Sequence, residues 1–396
     1  MVYLDNNATT AVLPSVVEAM MPYLTSFYGN AASVHRFGAE LMHKLDEVRS
    51  EVARFLNAGP RDDITFTSGG TESNNAVLRM LAAKFPERRH LIISAAEHSS
   101  VANVALDMEL AGYEVSRVPV DSEGALNMDA FRSALRPDTA LVSIMWANNE
   151  TGVLFPVGEI CRLAHEQGVL VHSDTVQAAG KVAIDLKKVP LDFLSVSAHK
   201  LHGPKSIGVL YAREGSPFAP LIRGGAQQDG RRAGTEDVAA AAGLGEAVRQ
   251  ARLLLEDAEA KSRMQGLRDR LESELVKRIP GTRVVGRTLP RVSNTTSLLF
   301  RDVEAEALLQ MMSESEIYAS SGSACTAGTL EPSRVLLAMG YSENEALSTV
   351  RFSLSRFTTA PDIDYTIQTL PELVARLRSF LPARRSARLK PKQAAL

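Results

Sequence analysis

Six short, largely apolar runs recur through the middle of this 396-residue chain, and they restrict its fold more than any other feature. They occupy residues 64–67, 90–94, 140–145, 168–173, 191–196 and 207–211. Runs that are apolar throughout, rather than alternating with polar residues, suit strands buried on both faces of a mostly parallel sheet. Segments between them, such as 71–84 and 156–167, have helix length and helical spacing. The expected class is therefore α/β, with a doubly wound sheet.

Past Val238 the texture changes. Met264, Leu267, Leu271 and Leu275 recur at three- and four-residue steps, which puts them on one face of a long helix. Strand-like residues 295–300, a helical 304–315 and a strand-like 349–354 follow. A chain this long exceeds what one hydrophobic core organises. We expect a large domain over 15–255 and a smaller α/β domain made of 1–14 and 256–382. In the final residues 383–396, Arg384, Arg385, Arg388, Lys390 and Lys392 occur with no acid after Glu372, the pattern of a solvated, disordered tail.

Several classes are disfavoured. No run approaches the roughly 18 apolar residues of a membrane span. A net charge of −2 creates no field for nucleic acid. Residues 1–10 lack the basic and apolar regions of an export signal, and two cysteines, Cys161 and Cys325, make no disulfide framework. A cytoplasmic protein with no resident metal is expected.

In an open α/β sheet, ligands sit beyond the carboxyl ends of the strands, so polar residues just after each apolar run are the candidates. Phe66-Thr67-Ser68-Gly69-Gly70-Thr71-Glu72-Ser73 runs from a strand through two glycines into a helix. It is either an ordinary helix start or a phosphate cradle of free N–H groups with the Thr71 hydroxyl. Val169-Leu170-Val171-His172-Ser173-Asp174 ends on a carboxylate that either caps the next helix or holds a cofactor's ring nitrogen protonated; Gln177 lies three residues on. Leu194-Ser195-Val196-Ser197-Ala198-His199-Lys200 puts a lysine at a buried strand end, where desolvation suits Schiff-base formation with an aldehyde cofactor. Ser197 and His199 are then placed for a phosphate. Lys205 is the alternative amine, but it lies past Gly203-Pro204.

Residues 319–329 contain no side chain larger than threonine or cysteine, which reads as a mobile loop carrying an accessible thiol, Cys325. Cys161, among Ile160, Leu163 and Ala164, reads as a small buried hydrophobe. His98 is either a surface group or a proton carrier, and Arg351 either a salt-bridge partner or a carboxylate clamp.

Taken together, these segments resemble the cysteine desulfurases of aminotransferase-like fold, within them the nitrogen-fixation (NifS-like) type. The resemblance runs over residues 2–380, through Tyr3-Leu4-Asp5-Asn6-Asn7-Ala8-Thr9-Thr10, Trp146-Ala147-Asn148-Asn149-Glu150-Thr151-Gly152, Arg231-Arg232-Ala233-Gly234-Thr235-Glu236, Ser320-Ser321-Gly322-Ser323-Ala324-Cys325-Thr326 and Leu330-Glu331-Pro332-Ser333. It implies a homodimer that uses pyridoxal 5'-phosphate (PLP) to move sulfur from L-cysteine onto Cys325, leaving L-alanine. The persulfide would then serve iron–sulfur assembly or nitrogenase maturation through a scaffold protein, with transient contact between Cys325 and a cluster. Lys200 would join the cofactor aldehyde, Asp174 would face the pyridinium, His98 would stack on the ring and shuttle protons, and Gln177 would reach the phenolic oxygen. Gly70, Thr71, Ser197 and His199 would hold the phosphate, with Thr235 supplied by the partner subunit. Asn149 and Arg351 would bind the substrate carboxylate. Rival readings are a selenocysteine lyase or cysteine sulfinate desulfinase on the same fold, and a non-catalytic dimeric binding module. The sequence departs from the family pattern at Ala226 and Asp229, which bears on interface contacts, and the tail after Pro382 has no family counterpart.

Overall fold

The computed structural model describes residues 1–322 and 331–380. In chain order its strands are β1 (Val2–Tyr3), β2 (Asp63–Thr67), β3 (His90–Ser94), β4 (Glu114–Val118), β5 (Thr139–Ser143), β6 (Leu170–Asp174), β7 (Phe193–Ser197), β8 (Gly208–Ala212), β9 (Thr282–Val284), β10 (Thr295–Phe300), β11 (Ile317–Tyr318), β12 (Ser320–Ser321) and β13 (Thr349–Ser353). Its helices are α1 (Pro14–Thr25), α2 (Arg36–Leu56), α3 (Gly70–Lys84), α4 (Ser99–Leu110), α5 (Met128–Ala134), α6 (Val157–Glu166), α7 (Val238–Glu256), α8 (Ala258–Arg278), α9 (Ala305–Glu314), α10 (Arg334–Ala338), α11 (Glu343–Ala346) and α12 (Ala360–Phe380).

The central sheet has the order β2-β8-β7-β6-β5-β3-β4, and only β8 runs antiparallel to its neighbours. β3, β5, β7 and β8 are buried along their whole length, as their largely apolar composition requires. One apolar layer joins α2, α6 and α7 to one face, and a second joins α3 and α4 to the other. Polar side chains inside the sheet are paired across strands: His172 bonds Ser143 at 2.8 Å and Ser195 at 3.0 Å. Burial holds that imidazole neutral, down at about 3.

Sequence periodicity missed β4, because an exposed edge strand reading Glu-Val-Ser-Arg-Val lacks the apolar run of its neighbours. It also misread Ser320 and Ser321. These small residues pair with β13, Ser320 opposite Arg351 and Ser321 opposite Val350, so they belong to a strand and not to the expected loop. Backbone pairing, not side-chain propensity, makes this strand. At the other sheet edge, the Gln228 amide accepts from Phe66 N at 2.7 Å and donates to Phe66 O at 2.9 Å, occupying the open ladder of β2. To do so Gln228 and Asp229 adopt left-handed backbone angles, φ 50° and 56°; Asp229 itself is exposed.

α7 is rich in alanine and glycine and buried along most of its length. Gly243 lies against Met20 of α1 and Gly245 against Val48 of α2, which lets these helices pack closely. Asp257 caps the start of α8. The apolar face of α8 joins β9, β10, β13, α9 and α12 around a separate core, with Val2 and Leu4 built into it. β1 pairs in parallel with β11, and Asp5 bridges Ser353. The N-terminal strap 5–10 thus leaves the second core and crosses toward the ends of β6 and β7. Among the described residues no helix is long and apolar enough to cross a membrane.

Candidate active site

Where β6 and β7 end, a cavity of about 370 Å³ opens between the central sheet, the strap and β13. Ten of the residues singled out from the sequence line it: Gly70, Thr71, His98, Asn149, Asp174, Gln177, Ser197, His199, Lys200 and Arg351. Thr235 is exposed and does not line it. Cys325 and the tail lie outside the described residues.

The glycines are required by geometry. Gly69 has φ 148°, and a Cβ on Gly70 would lie 2.5 Å from Val176 Cγ2. The chain therefore turns tightly into α3, whose first N–H groups have no partner within the helix and carry its positive end. Gly69, Gly70, Thr71, Ser197, His199 and Lys205 surround this terminus. Burial, then the charges of Lys200 and Lys205, push His199 down to about 4, so it is a neutral ring here, bonded through Nδ1 to Thr9 Oγ1 at 3.1 Å.

Asp174 is nearly buried, and its two oxygens are held separately: Oδ1 accepts from Val176 N at 2.9 Å and Oδ2 from Asn74 Nδ2 at 2.7 Å. No helix directly follows Asp174, so the expected helix cap does not form; Oδ1 instead closes a turn through Val176 N, and the carboxylate lines the cavity. Asn74 also donates to Ser100 Oγ at 2.8 Å, and Ser100 Oγ lies 2.8 Å from His98 Nδ1. His98 Nδ1 accepts from Ser100 N, so in the neutral ring the proton sits on Nε2. One hydrogen-bonded chain thus fixes the Asp174 carboxylate and the His98 ring together.

Lys200 stands on a 3-10 turn, Ala198–Lys200, three residues past the end of β7 rather than on the strand. Its ammonium donates to the carbonyls of Asn7 and Ala8, both at 2.6 Å. Gln177 Nε2 donates to the same Asn7 carbonyl at 2.9 Å. Asn7 Nδ2 reaches Asn149 O at 3.1 Å and Thr295 Oγ1 at 2.9 Å, so this buried residue ties Lys200 and Gln177 to β10. Lys181 donates to Asn7 Oδ1 at 3.1 Å and to Gln177 Oε1. Because a backbone carbonyl only accepts, the bond to Asn7 O fixes which end of the Gln177 amide is nitrogen.

Arg351 is buried in the middle of β13. It donates to Asp5 Oδ1 at 2.9 Å and to Asn149 O at 3.1 Å, while its Nε and the Asn149 Oδ1 are buried with no hydrogen bond. The salt-bridge reading of this arginine holds, and the guanidinium also keeps donor capacity at the cavity. Two buried acids flank the site. Burial raises Glu97 to about 8, opposed by bonds from Ser94 Oγ and Met145 N and reinforced by Asp174; burial raises Glu150 to about 7 against its bond from Ser333.

Asn7, Asn74, Ser100, Lys181, Glu97 and Glu150 were not singled out from sequence. Amides and hydroxyls carry no distinctive local signal, although Asn74 lies four residues after Gly70, one turn along the same face. Cys161 is buried in α6 and its thiol is pushed up to about 12, which leaves it inert. Among the described residues no cluster could hold a metal ion.

These residues fit a phosphorylated carbonyl cofactor of the PLP type. The glycine turn leaves room that a Cβ at Gly70 would fill, an amine and a buried carboxylate face one cavity, and orphaned polar atoms on Asn149, Arg351 and Asn74 await partners.

The aminotransferase class-V family model matches residues 2–366. The chain is 47% identical to a cysteine desulfurase of Klebsiella pneumoniae over 394 residues, covering 99% of this chain and 98% of that one. It is 46% identical to the cysteine desulfurase NifS of Azotobacter vinelandii over 382 residues, 96% and 94% of the two chains. A solved NifS-like protein superposes with a TM-score of 0.88 at 36% identity, covering 95% of this chain and 100% of that one.

Proposed function

The chain belongs to the aminotransferase class-V family, and from that premise we propose that it is a cysteine desulfurase, converting L-cysteine to L-alanine while Cys325 takes the sulfur as a persulfide. The observation that carries this reading is that one cavity gathers an amine, a buried carboxylate and a guanidinium, in a chain nearly half identical to cysteine desulfurases over its whole length.

PLP, when bound, supplies the aldehyde that takes an amino group and the protonated ring that stores the electrons of a broken Cα bond. Lys200 would hold it, with Gly70, Thr71, Ser197 and His199 around the phosphate and Thr235 reaching in from a partner subunit of a homodimer. With His199 neutral, the α3 terminus rather than an imidazolium meets the phosphate charge. Asp174 would face the ring nitrogen, its carboxylate held from moving by Val176 N and Asn74. Gln177, its amide nitrogen fixed by the bond to Asn7 O, would offer its second N–H to the phenolic oxygen.

The substrate carboxylate meets Arg351 and Asn149. Lys200 would take the proton from Cα. His98 moves protons at the substrate sulfur or at the leaving three-carbon fragment, its tautomer fixed through Ser100. The Cys325 thiolate attacks the substrate sulfur; a sulfur–sulfur bond forms, the carbon–sulfur bond breaks, and the carbon receives a proton, so cysteine and one thiol become alanine and one persulfide. An iron–sulfur scaffold protein in the cytoplasm is the acceptor this persulfide suits, for nitrogenase or for general cluster assembly.

The test is Cys325→Ser. A hydroxyl is a negligible nucleophile toward sulfur at neutral pH, whereas an ordinary thiol is a few per cent thiolate. The variant should retain the cofactor absorbance and respond spectrally to cysteine, but release no alanine, and Cys161→Ser should match the parent. Alanine accumulating at the parent rate from Cys325→Ser would instead make a selenocysteine-lyase type of reaction the better description.

A further inference from the structure

Lys200 lines a second, smaller cavity on the side away from the site just described. We propose that this cavity binds one monovalent inorganic anion of about the size of chloride, held by Lys181 and Arg356.

The cavity lies where α7, α8, the strap and the chain after β13 meet, lined by Asn6, Leu254, Lys261, Asn294 and Arg356 among others. Its volume of about 50 Å³ selects the class of ligand. A single water needs roughly 10–15 Å³ on this measure, and sites for organic ligands run to roughly 300–1,000 Å³. A few waters or one small ion fit, and a phosphorylated or organic molecule does not.

The lining carries Lys181, Lys200, Lys261 and Arg356 and no carboxylate. Lys181 donates only to the neutral oxygens of Asn7 and Gln177. Arg356 donates to Gln250 O at 3.2 Å, and its Nε is buried with no partner. Ser293, also on the wall, has only the Met264 thioether at 3.8 Å. Lys261 is exposed, while Lys181 and Arg356 are half-buried, and withdrawing even part of a charge from water without a counter-charge is costly. A lysine can relieve this by losing its proton, and burial together with the Lys200 and Arg351 charges does push Lys181 well below its ordinary value; an anion in the cavity would restore that proton. A guanidinium cannot lose its charge. Burial lowers Arg356 without any opposing acid, so its charge stays and calls for an anion, with Lys181 as a second donor. Both side chains bear on one spot: His202, another wall residue, is held neutral at about 4 by burial first, against its bond to Ala11 O, and then by Arg356 and Lys181.

An ion there sits behind Lys200 and favours the protonated state of the amines around it. Occupancy does not depend on which cofactor the neighbouring cavity takes, so failure of one reading leaves the other standing.

The test uses the purified holoenzyme, dialysed into sodium gluconate, whose anion is too large to enter, and titrated with chloride at constant ionic strength. Thermal unfolding should rise saturably by roughly 2 °C, the shift expected for a ligand about tenfold above its Kd in a chain of this size. Arg356→Gln should lose this dependence. Crystals of the parent protein grown in bromide should show an anomalous peak beside the Arg356 guanidinium, a result that needs no variant. An unfolding temperature indifferent to chloride, the same dependence in Arg356→Gln, or bromide absent from this cavity overturns the proposal.

Discussion

Truncating Arg351 to alanine separates the two jobs its geometry combines. The side chain is about 5% exposed, donates to Asp5 at 2.9 Å and to Asn149 O at 3.1 Å, and keeps a buried, unpartnered Nε. A substrate carboxylate that engages the guanidinium gains at least one charge-assisted bond, worth about 1.5–3 kcal/mol. Each 1.4 kcal/mol is tenfold in affinity, so KM for cysteine should rise roughly 10- to 150-fold. Desolvation already raises the Asp5 carboxyl despite Arg351, and removing the arginine raises it further. An acid that holds its proton more tightly folded than unfolded costs stability as pH rises. Arg351→Ala should therefore melt lower than the parent, with a wider gap at pH 8 than at pH 5.5. Steady-state alanine formation gives KM and kcat, the bound-cofactor absorbance reports the neighbouring machinery, and Asp5→Asn serves as control by breaking the salt bridge alone. If Arg351→Ala leaves KM within threefold of Asp5→Asn, or sheds the cofactor, the guanidinium is structural only and the carboxylate assignment fails.

Asp174→Asn should lower kcat on the order of 10²-fold with KM little changed, the scale for removing one charge aimed at the reacting group; the orphaned Asn74 oxygen can turn to accept the new amide, so the fold should survive, and an unchanged kcat would reduce Asp174 to closing its turn. Gly70→Ala forces a Cβ to 2.5 Å from Val176 Cγ2 and should destabilise by about 1–3 kcal/mol while weakening cofactor retention in equilibrium dialysis; full retention would argue against a phosphate at this turn. Glu97, raised to about 8, binds its proton more tightly folded than unfolded, so parent stability should fall as pH rises from 4.5 through 8, by at most about 1.4 kcal/mol per pH unit from this group. The neutral Glu97→Gln should flatten that slope in thermal melts, and an identical slope would show the carboxyl to be ionised throughout.

Element type was legible wherever burial is periodic along the chain. The apolar runs became β2, β3, β5, β6, β7 and β8, displaced by one or two residues at their ends, and Met264, Leu267, Leu271 and Leu275 do share the face of α8 turned to the second core. Strand-end chemistry was legible for a related reason: a polar residue closing an apolar run stands at the carboxyl edge of the sheet, where Asp174 and Ser197 end β6 and β7 and Gln177 follows one turn later. β4 and β12 escaped because one is an exposed edge and the other exists only through pairing with β13. The connections inside the site escaped more completely. Asp5 and Arg351 stand 346 residues apart, Asn7 and Lys200 193, and no local pattern encodes a bond between them. Sequence alone determined which side chains stand at the strand ends, because alternation and burial act over a few residues. Only the tertiary structure decided that the N-terminal strap threads between the two cores, orders Lys200 and Gln177 through one asparagine, and leaves an acid-free cavity behind them, because those contacts form only when distant segments pack together.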